Sequence, residues 1–113
     1  MSTVPAYAKF LSMLSTMRQQ CGDAEFEGCD EVLSFIAVKE TVKRATKFTD
    51  LVQSMQFGTW PTVQRKVSVL AKRGLIDVQK DEHDARVKTL RMTAAGLDLL
   101  KERTTLLKHC MEN

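Results

Sequence analysis

A chain of 113 residues with 43% hydrophobic and 27% charged side chains has apolar material for one core, so one domain over 1–113 is expected. Its apolar runs fall far short of the roughly 20 residues that cross a bilayer. Met1 to Pro5 lacks the basic start, apolar stretch and cleavage site of a secretory leader, so a cytoplasmic, non-membrane protein is expected. The net charge of +3 hides a block: Met1 to Phe35 holds two basic and five acidic residues, Ile36 to Arg91 twelve against six, and the remainder balances. A basic middle suits a polyanion, although such blocks are more often plain solvated surface.

Cys21, Cys29 and Cys110 are odd in number and form no CxxC pair, which argues against a disulfide framework or a zinc ribbon. Reduced, largely apolar thiols are expected, and even with His109 the spacing matches no closed zinc site. No metal or cofactor is expected. Redox sensing would require an accessible thiol in an electropositive setting.

In chain order, Phe10, Met13, Leu14 and Met17 recur at helical spacing and Cys21-Gly22 supplies a stop, giving a first helix over about 5–21. Asp23 to Glu27 reads as a loop. Asp30 is placed to cap a second helix carrying Val32, Leu33, Phe35, Ile36 and Val38, whose frayed end and turn take up Glu40 to Lys47. Thr49 is expected to cap a short helix from Asp50 to Met55, with Leu51, Val52 and Met55 inward. A turn at Gly58 leads to a fourth helix with Thr59 as cap and Pro61 in its first turn. There Val63, Val67 and Leu70 form the apolar stripe, Thr62, Arg65, Ser68 and Lys72 the opposite side, and Val69 is expected to face outward. Arg73-Gly74 ends it.

The period then changes to two. Ile76 and Val78 alternate with Asp77 and Gln79, then Leu90 and Met92 with Thr89 and Arg91, around a polar tip from Asp81 to Ala85. A two-stranded hairpin is expected, followed by a helix over about 94–110 capped by Thr93. Leu97, Leu100, Leu107 and Met111 lie near one of its faces, with Leu99, Leu106 and Cys110 beside it. The fold class is therefore mainly α with a small two-stranded β-hairpin: a winged helix-turn-helix, in a lobe over about 30–93.

The residues carry a resemblance. Thr62-Val63-Gln64-Arg65, Leu70 through Gly74-Leu75-Ile76, Asp84-Ala85-Arg86 and Met92-Thr93-Ala94-Ala95-Gly96 stand in register, and Phe48 to Gly96 resembles the DNA-binding lobe of MarR-type regulators. That resemblance implies groove contact by Thr59, Trp60, Thr62, Gln64, Arg65 and Ser68. It implies phosphate contact by Lys66 and Lys72, and a wing-tip role for Arg86, steered by Asp84 and reinforced by Lys80, His83 and Lys88. It also implies double-stranded DNA and a second copy of the chain as partners, with small-molecule effectors a known property of such proteins. Here the terminal helices are short, with Phe10, Leu14, Leu99, Leu106 and Leu107 as anchors of a reduced dimer interface. Ala85 stands where many relatives carry a second basic residue.

Alternatives remain open at this level. Arg65 can be a solvated surface residue, Trp60 can staple its helix to the core, and the terminal helices can cover each other in a monomer. No convergent nucleophile, base or glycine-rich phosphate loop suggests an enzyme. The serious rival is a winged helix that binds another protein, for which an outward Val69 would serve as the start of an apolar patch. A DNA reader should instead gather Arg65, Lys66 and Arg86 on a basic face.

Overall fold

The computed structural model describes residues 5–21, 24–84 and 86–112. Met1 to Val4, the stop at Gly22, Asp23 of the acidic loop and Ala85 of the wing lie outside the described residues, as do the side chains of Cys21, Cys110 and Met111. The elements are α1 Ala6–Cys21, a 3-10 turn Ala24–Phe26, α2 Cys29–Thr41, β1 Thr46–Lys47, α3 Phe48–Gln53, α4 Trp60–Lys72, β2 Ile76–Lys80, β3 Lys88–Met92 and α5 Ala94–Glu112. The architecture is the mainly helical winged helix expected, with one correction. The sheet has three strands rather than two, in the order β1-β3-β2. Thr46 pairs with Leu90 and Lys47 with Thr89, while β2 and β3 pair antiparallel from Ile76 opposite Met92 to Lys80 opposite Lys88. A two-residue strand is too short to show alternation, which hid β1 in the segment expected to be a frayed end.

The core follows from helical spacing. On α2, Cys29, Val32, Leu33 and Ile36 repeat at three and four and are fully buried. They meet Phe48 and Leu51 of α3, Val63, Val67 and Leu70 of α4, and Ile76 and Leu90 of the sheet. Met55, expected inward, is 87% exposed: it sits at φ 59 in the left-handed turn that ends α3, and Phe57 fills the interior instead. The helix starts also differ from expectation. Gly28, at φ 79, precedes α2, so Asp30 lies in its first turn. Extended Lys47, not Thr49, precedes α3, and Asp50 Oδ2 accepts the Lys47 amide hydrogen at 2.9 Å and the Lys39 ammonium at 3.2 Å. Burial pushes the Asp50 carboxyl up, but these two donors outweigh it and hold the group below its usual range.

Helices α2 and α4 end alike. Arg44 N–H donates to the Lys39 carbonyl and Lys43 N–H to that of Glu40. Leu75 N–H donates to Leu70 and Gly74 N–H to Ala71, all at 3.0 Å. This double return satisfies the last carbonyls and requires a left-handed residue, Lys43 at φ 58 in one case and Gly74 at φ 72 in the other.

The start of α5 is locked to the end of α4. Thr93 Oγ1 accepts Gly96 N–H at 3.1 Å and donates to the Gly74 carbonyl at 2.6 Å, while Thr93 N–H donates to the Leu75 carbonyl at 3.3 Å. Gly96 is buried there, and a Cβ on it would collide with the Leu75 carbonyl. From the opposite side, Glu40 of α2 accepts Met92 N–H at 2.9 Å. Beyond the junction α5 runs back along α1, and the chain measures 61 × 26 × 23 Å. Its radius of gyration, 15.8 Å, exceeds the roughly 13 Å of a compact chain this long.

Two measurements check this packing. In urea denaturation, Gly96→Ala should cost about 3 kcal/mol because backbone must move, whereas Gly74→Ala, with open space around it, should cost only about 1 kcal/mol of backbone strain. Asp50→Ala should destabilise by about 1 kcal/mol at neutral pH. Because the folded-state carboxyl is depressed, that contribution is present above the unfolded value and fades as pH falls through the folded one. The gap between wild type and variant should therefore narrow below about pH 4.

Candidate nucleic-acid interface

Two helices and a turn put α4 at the surface. Gly58, at φ 106, turns the chain, and Thr59 enters α4 in an extended conformation with its carbonyl accepting Val63 N–H at 2.9 Å. The Thr59 hydroxyl meets the Thr62 hydroxyl at 3.3 Å instead of capping a backbone amide. With Val63, Val67 and Leu70 inward, the solvent face presents Pro61, Gln64, Arg65, Ser68 and Lys72. Val69, expected outward, is 6% exposed within the core. The 3-10 turn packs along α4 and widens its buried arc beyond the stripe that spacing suggested. The outward side therefore has no aliphatic patch.

The expected contact residues of α4 and the turn before it fall into four groups. Gln64, Ser68 and Lys72 are exposed on the open face, with Thr59 beside them and Thr62 half-buried against Gly58. Trp60 does two things at once: its ring packs edge-on against Phe48 at 4.7 Å, yet it stays 50% exposed and its indole N–H donates to Gln64 Oε1 at 3.2 Å. Arg65 leans toward the 3-10 turn, Nη1 donating to the Glu25 carbonyl at 3.4 Å, and Arg73 reaches the Glu25 carboxylate at 3.4 Å. Lys66, expected to contact phosphate, is half-buried and its ammonium is engaged within the protein. Its ammonium donates to the Phe57 carbonyl at 3.0 Å and lies over Gly28, where a Cβ would come within 2.9 Å of Nζ. It is a strut between α4, the preceding turn and the start of α2.

The wing is held by its own acids. Asp81 N–H donates to the Val87 carbonyl at 2.9 Å, and Asp81 Oδ1 accepts the amides of His83 and Asp84 at 2.7 and 3.3 Å. Asp84 grips Arg86 side-on, with Nε to Oδ1 at 3.1 Å and Nη2 to Oδ2 at 3.3 Å. The Arg86 guanidinium, then its amide, hold the Asp84 carboxyl below its usual range. The Arg86 side chain is still 91% exposed. Behind the tip, Lys80 and Lys88 stand directly opposite each other across the strands, and His83 is exposed beside them. Like charges at paired positions destabilise a hairpin and are relieved by an anion. The organising roles of Asp81 and Glu25 were missed in the sequence. An aspartate two residues before a polar loop position is an Asx-turn signal that points to Asp81, whereas nothing local points to Glu25.

Two further features border α4. A cleft of about 820 Å³ opens between α1, the 3-10 turn, α4 and α5, lined by Leu14, Phe26, Asp30, Arg65 and Arg103 among others. Cys29 is buried beneath α4, its Sγ 3.8 Å from the Glu25 and Lys66 carbonyls, and burial pushes its thiol up. That is the reverse of the accessible, activated setting a sensing thiol needs. Among the described residues, no group of His, Cys, Asp and Glu gathers as a metal site, and no helix is long and apolar enough to cross a membrane.

Comparison with known proteins bears on the fold. No family model matches the chain, and no curated protein matches it in sequence. Solved structures do. The S. aureus MepR–DNA complex superposes with a TM-score of 0.66 at 21% identity, over 89% of this chain and 77% of that one. A MarR transcription factor from Planctomyces limnophilus gives 0.62 at 19%, over 95% and 73%. Bordetella bronchiseptica BpsR, whose DNA binding is regulated by 6-hydroxynicotinic acid, gives 0.62 at 20%, over 95% and 71%. The chain has the MarR-type winged-helix fold.

The split between strut and open face is measurable. Thermal or chemical denaturation should find Lys66→Ala destabilised by about 1–2 kcal/mol, since the part-buried Phe57 carbonyl loses its donor. Lys72→Ala should change stability by less than about 0.5 kcal/mol. Equal effects would remove the distinction.

Proposed function

We propose that this chain is a sequence-specific duplex-DNA-binding transcriptional regulator, acting as a homodimer in the cytoplasm, with α4 in the major groove and the wing on the flanking backbone or minor groove. The observation that carries the proposal is the outward face of α4. It is polar along its length, with Gln64, Ser68 and Lys72 open and Arg65 alongside, and Arg86 projects from the wing. A helix of about 10–12 Å diameter fits a groove roughly 12 Å wide. The protein-adaptor alternative relied on an apolar patch around Val69, and burial of Val69 takes away its footing.

Within this reading the residues take distinct parts. Gln64 and Ser68 face base edges, Thr59, Thr62 and Trp60 flank them, and Lys72 fixes register on phosphates. Arg65 addresses a base or a phosphate by exchanging its single long bond to the Glu25 carbonyl for a charge-assisted pair. Arg86, aimed by Asp84, meets the flanking DNA, while Lys80, His83 and Lys88 supply positive potential. Lys66 holds α4 in place and touches no DNA. Nothing in this function is catalytic.

Dimerisation rests on the arm. Leu11, Leu97 and Leu106 of α1 and α5 are each more than 40% exposed, and Tyr7 is 72% exposed. Leu14, Met17, Leu100 and Leu107 line an apolar groove between the two helices and α2. A second arm seated there would bury this surface. The cleft beside Arg65 is the place where a small effector would reach both the arm and α4.

Fluorescence anisotropy on random-sequence duplex DNA across a salt series tests the proposal, with the double variant Arg65→Ala, Arg86→Ala beside the native chain. Salt-sensitive binding is expected, with the logarithmic salt slope reduced by about two in the variant and a saturation endpoint of two chains per site. A folded protein that binds no duplex at low salt would overturn the reading.

A further inference from the structure

The indole N–H of Trp60 and the amide of Gln64 form a hydrogen bond of 3.2 Å on the open face of α4. They stand four residues apart, one turn of helix, so their side chains are neighbours. The indole nitrogen can only donate, so the Gln64 atom facing it is the carbonyl oxygen, and the NH2 lies on the far side of the amide carbon. The donor is itself anchored: the Trp60 ring rests edge-on against Phe48, which is buried in the core. The glutamine head is thus oriented by a group tied to the interior.

This orientation has a consequence for reading bases, and it rests on the proposal that α4 enters the major groove. A free glutamine recognises adenine by presenting oxygen and NH2 side by side, accepting from N6 and donating to N7. With its oxygen turned back to the indole and one lone pair engaged there, Gln64 directs its NH2 donors away from the pair as its leading groups. Such a head suits the acceptors of keto bases, N7 and O6 of guanine or O4 of thymine, and disfavours the paired oxygen-and-NH2 contact that adenine requires. When a groove displaces water from this face, an indole N–H without an acceptor becomes more costly, so docking favours retention of the bond. We infer that the Trp60–Gln64 pair makes Gln64 read chiefly as a donor, favouring a keto base, and that Trp60 is a positioning residue for specificity.

Selection from a random-core duplex library by the native chain, Gln64→Ala and Trp60→Phe tests this. The position whose preference Gln64→Ala flattens is the one Gln64 reads, and the native chain should favour guanine or thymine there. Trp60→Phe keeps a ring on Phe48 but removes the N–H, and should shift that position toward adenine by roughly tenfold while leaving the rest of the site unchanged. Should Trp60→Phe fail to fold by circular dichroism, Gln64→Glu replaces it: an acceptor-only head should move the preference to an amino base. Adenine favoured by the native chain at that position, no position flattened by Gln64→Ala, or a preference unmoved in the folded Trp60→Phe or Gln64→Glu variant would each overturn the inference while leaving DNA binding intact. Recovery of no duplex by the native chain would overturn the proposed function with it.

Discussion

The backbone contact between Gly96 and the Leu75 carbonyl is the constraint on which the arrangement of parts depends. Three elements converge there: the end of α4, the approach to β2 and the first turn of α5. Any side chain at Gly96 would hold them apart. Thr93 closes the junction from both directions, capping α5 with the same hydroxyl that binds the Gly74 carbonyl. The Glu40 carboxylate adds α2 by taking the amide of Met92. The helix-turn-helix, the wing and the two-helix arm are therefore joined through a few backbone groups with little slack, and a displacement of the arm acts directly on the C-terminal end of α4.

The flank of α4 that faces α2 and the 3-10 turn is fixed by different means. Lys66 crosses from the helix to the Phe57 carbonyl and passes over Gly28, so the lysine stem occupies space a side chain there would need. Arg65 and Arg73 both reach Glu25, and Arg73 also lies over the Phe26 ring at 5.0 Å. Three of the basic residues counted toward a nucleic-acid surface thus spend part or all of their charge inside the protein. On the proposed function, the interface that remains would be smaller than the charge block suggests and weighted toward Gln64, Ser68 and the wing.

Much of the fold was legible because its signals are local. The switch from a period of three and four to a period of two at Gly74 marked the wing, and the Met92 to Gly96 pattern marked the entry to α5. What was not legible came from contacts distant in sequence. Val69 lies at the edge of the apolar stripe, and its burial depends on elements distant in sequence that pack along α4, the 3-10 turn among them. Lys66 reads as a surface cation until Phe57 and Gly28 are seen beneath it. Met55 fits an inward helical position, but the helix ends before it and the left-handed turn throws it outward. The exposure of Gln64, Ser68 and Lys72 on α4 was legible, yet the bond that orients Gln64 depended on knowing that Trp60 is neither wholly staple nor wholly free.

The opposed lysines of the wing give the hairpin a built-in response to its ionic surroundings. In dilute solution Lys80 and Lys88 repel across the strands and loosen the pairing behind the tip, whereas added salt screens them over a Debye length of about 10 Å. The same ions compete for the phosphates that the wing would meet. On the proposed function, salt would tighten the hairpin while weakening its hold on phosphates, two opposed tendencies in the wing that α4 does not share. Across conditions, the balance of work between helix and wing would shift, with the wing contributing most where a phosphate itself supplies the charge that quiets the pair.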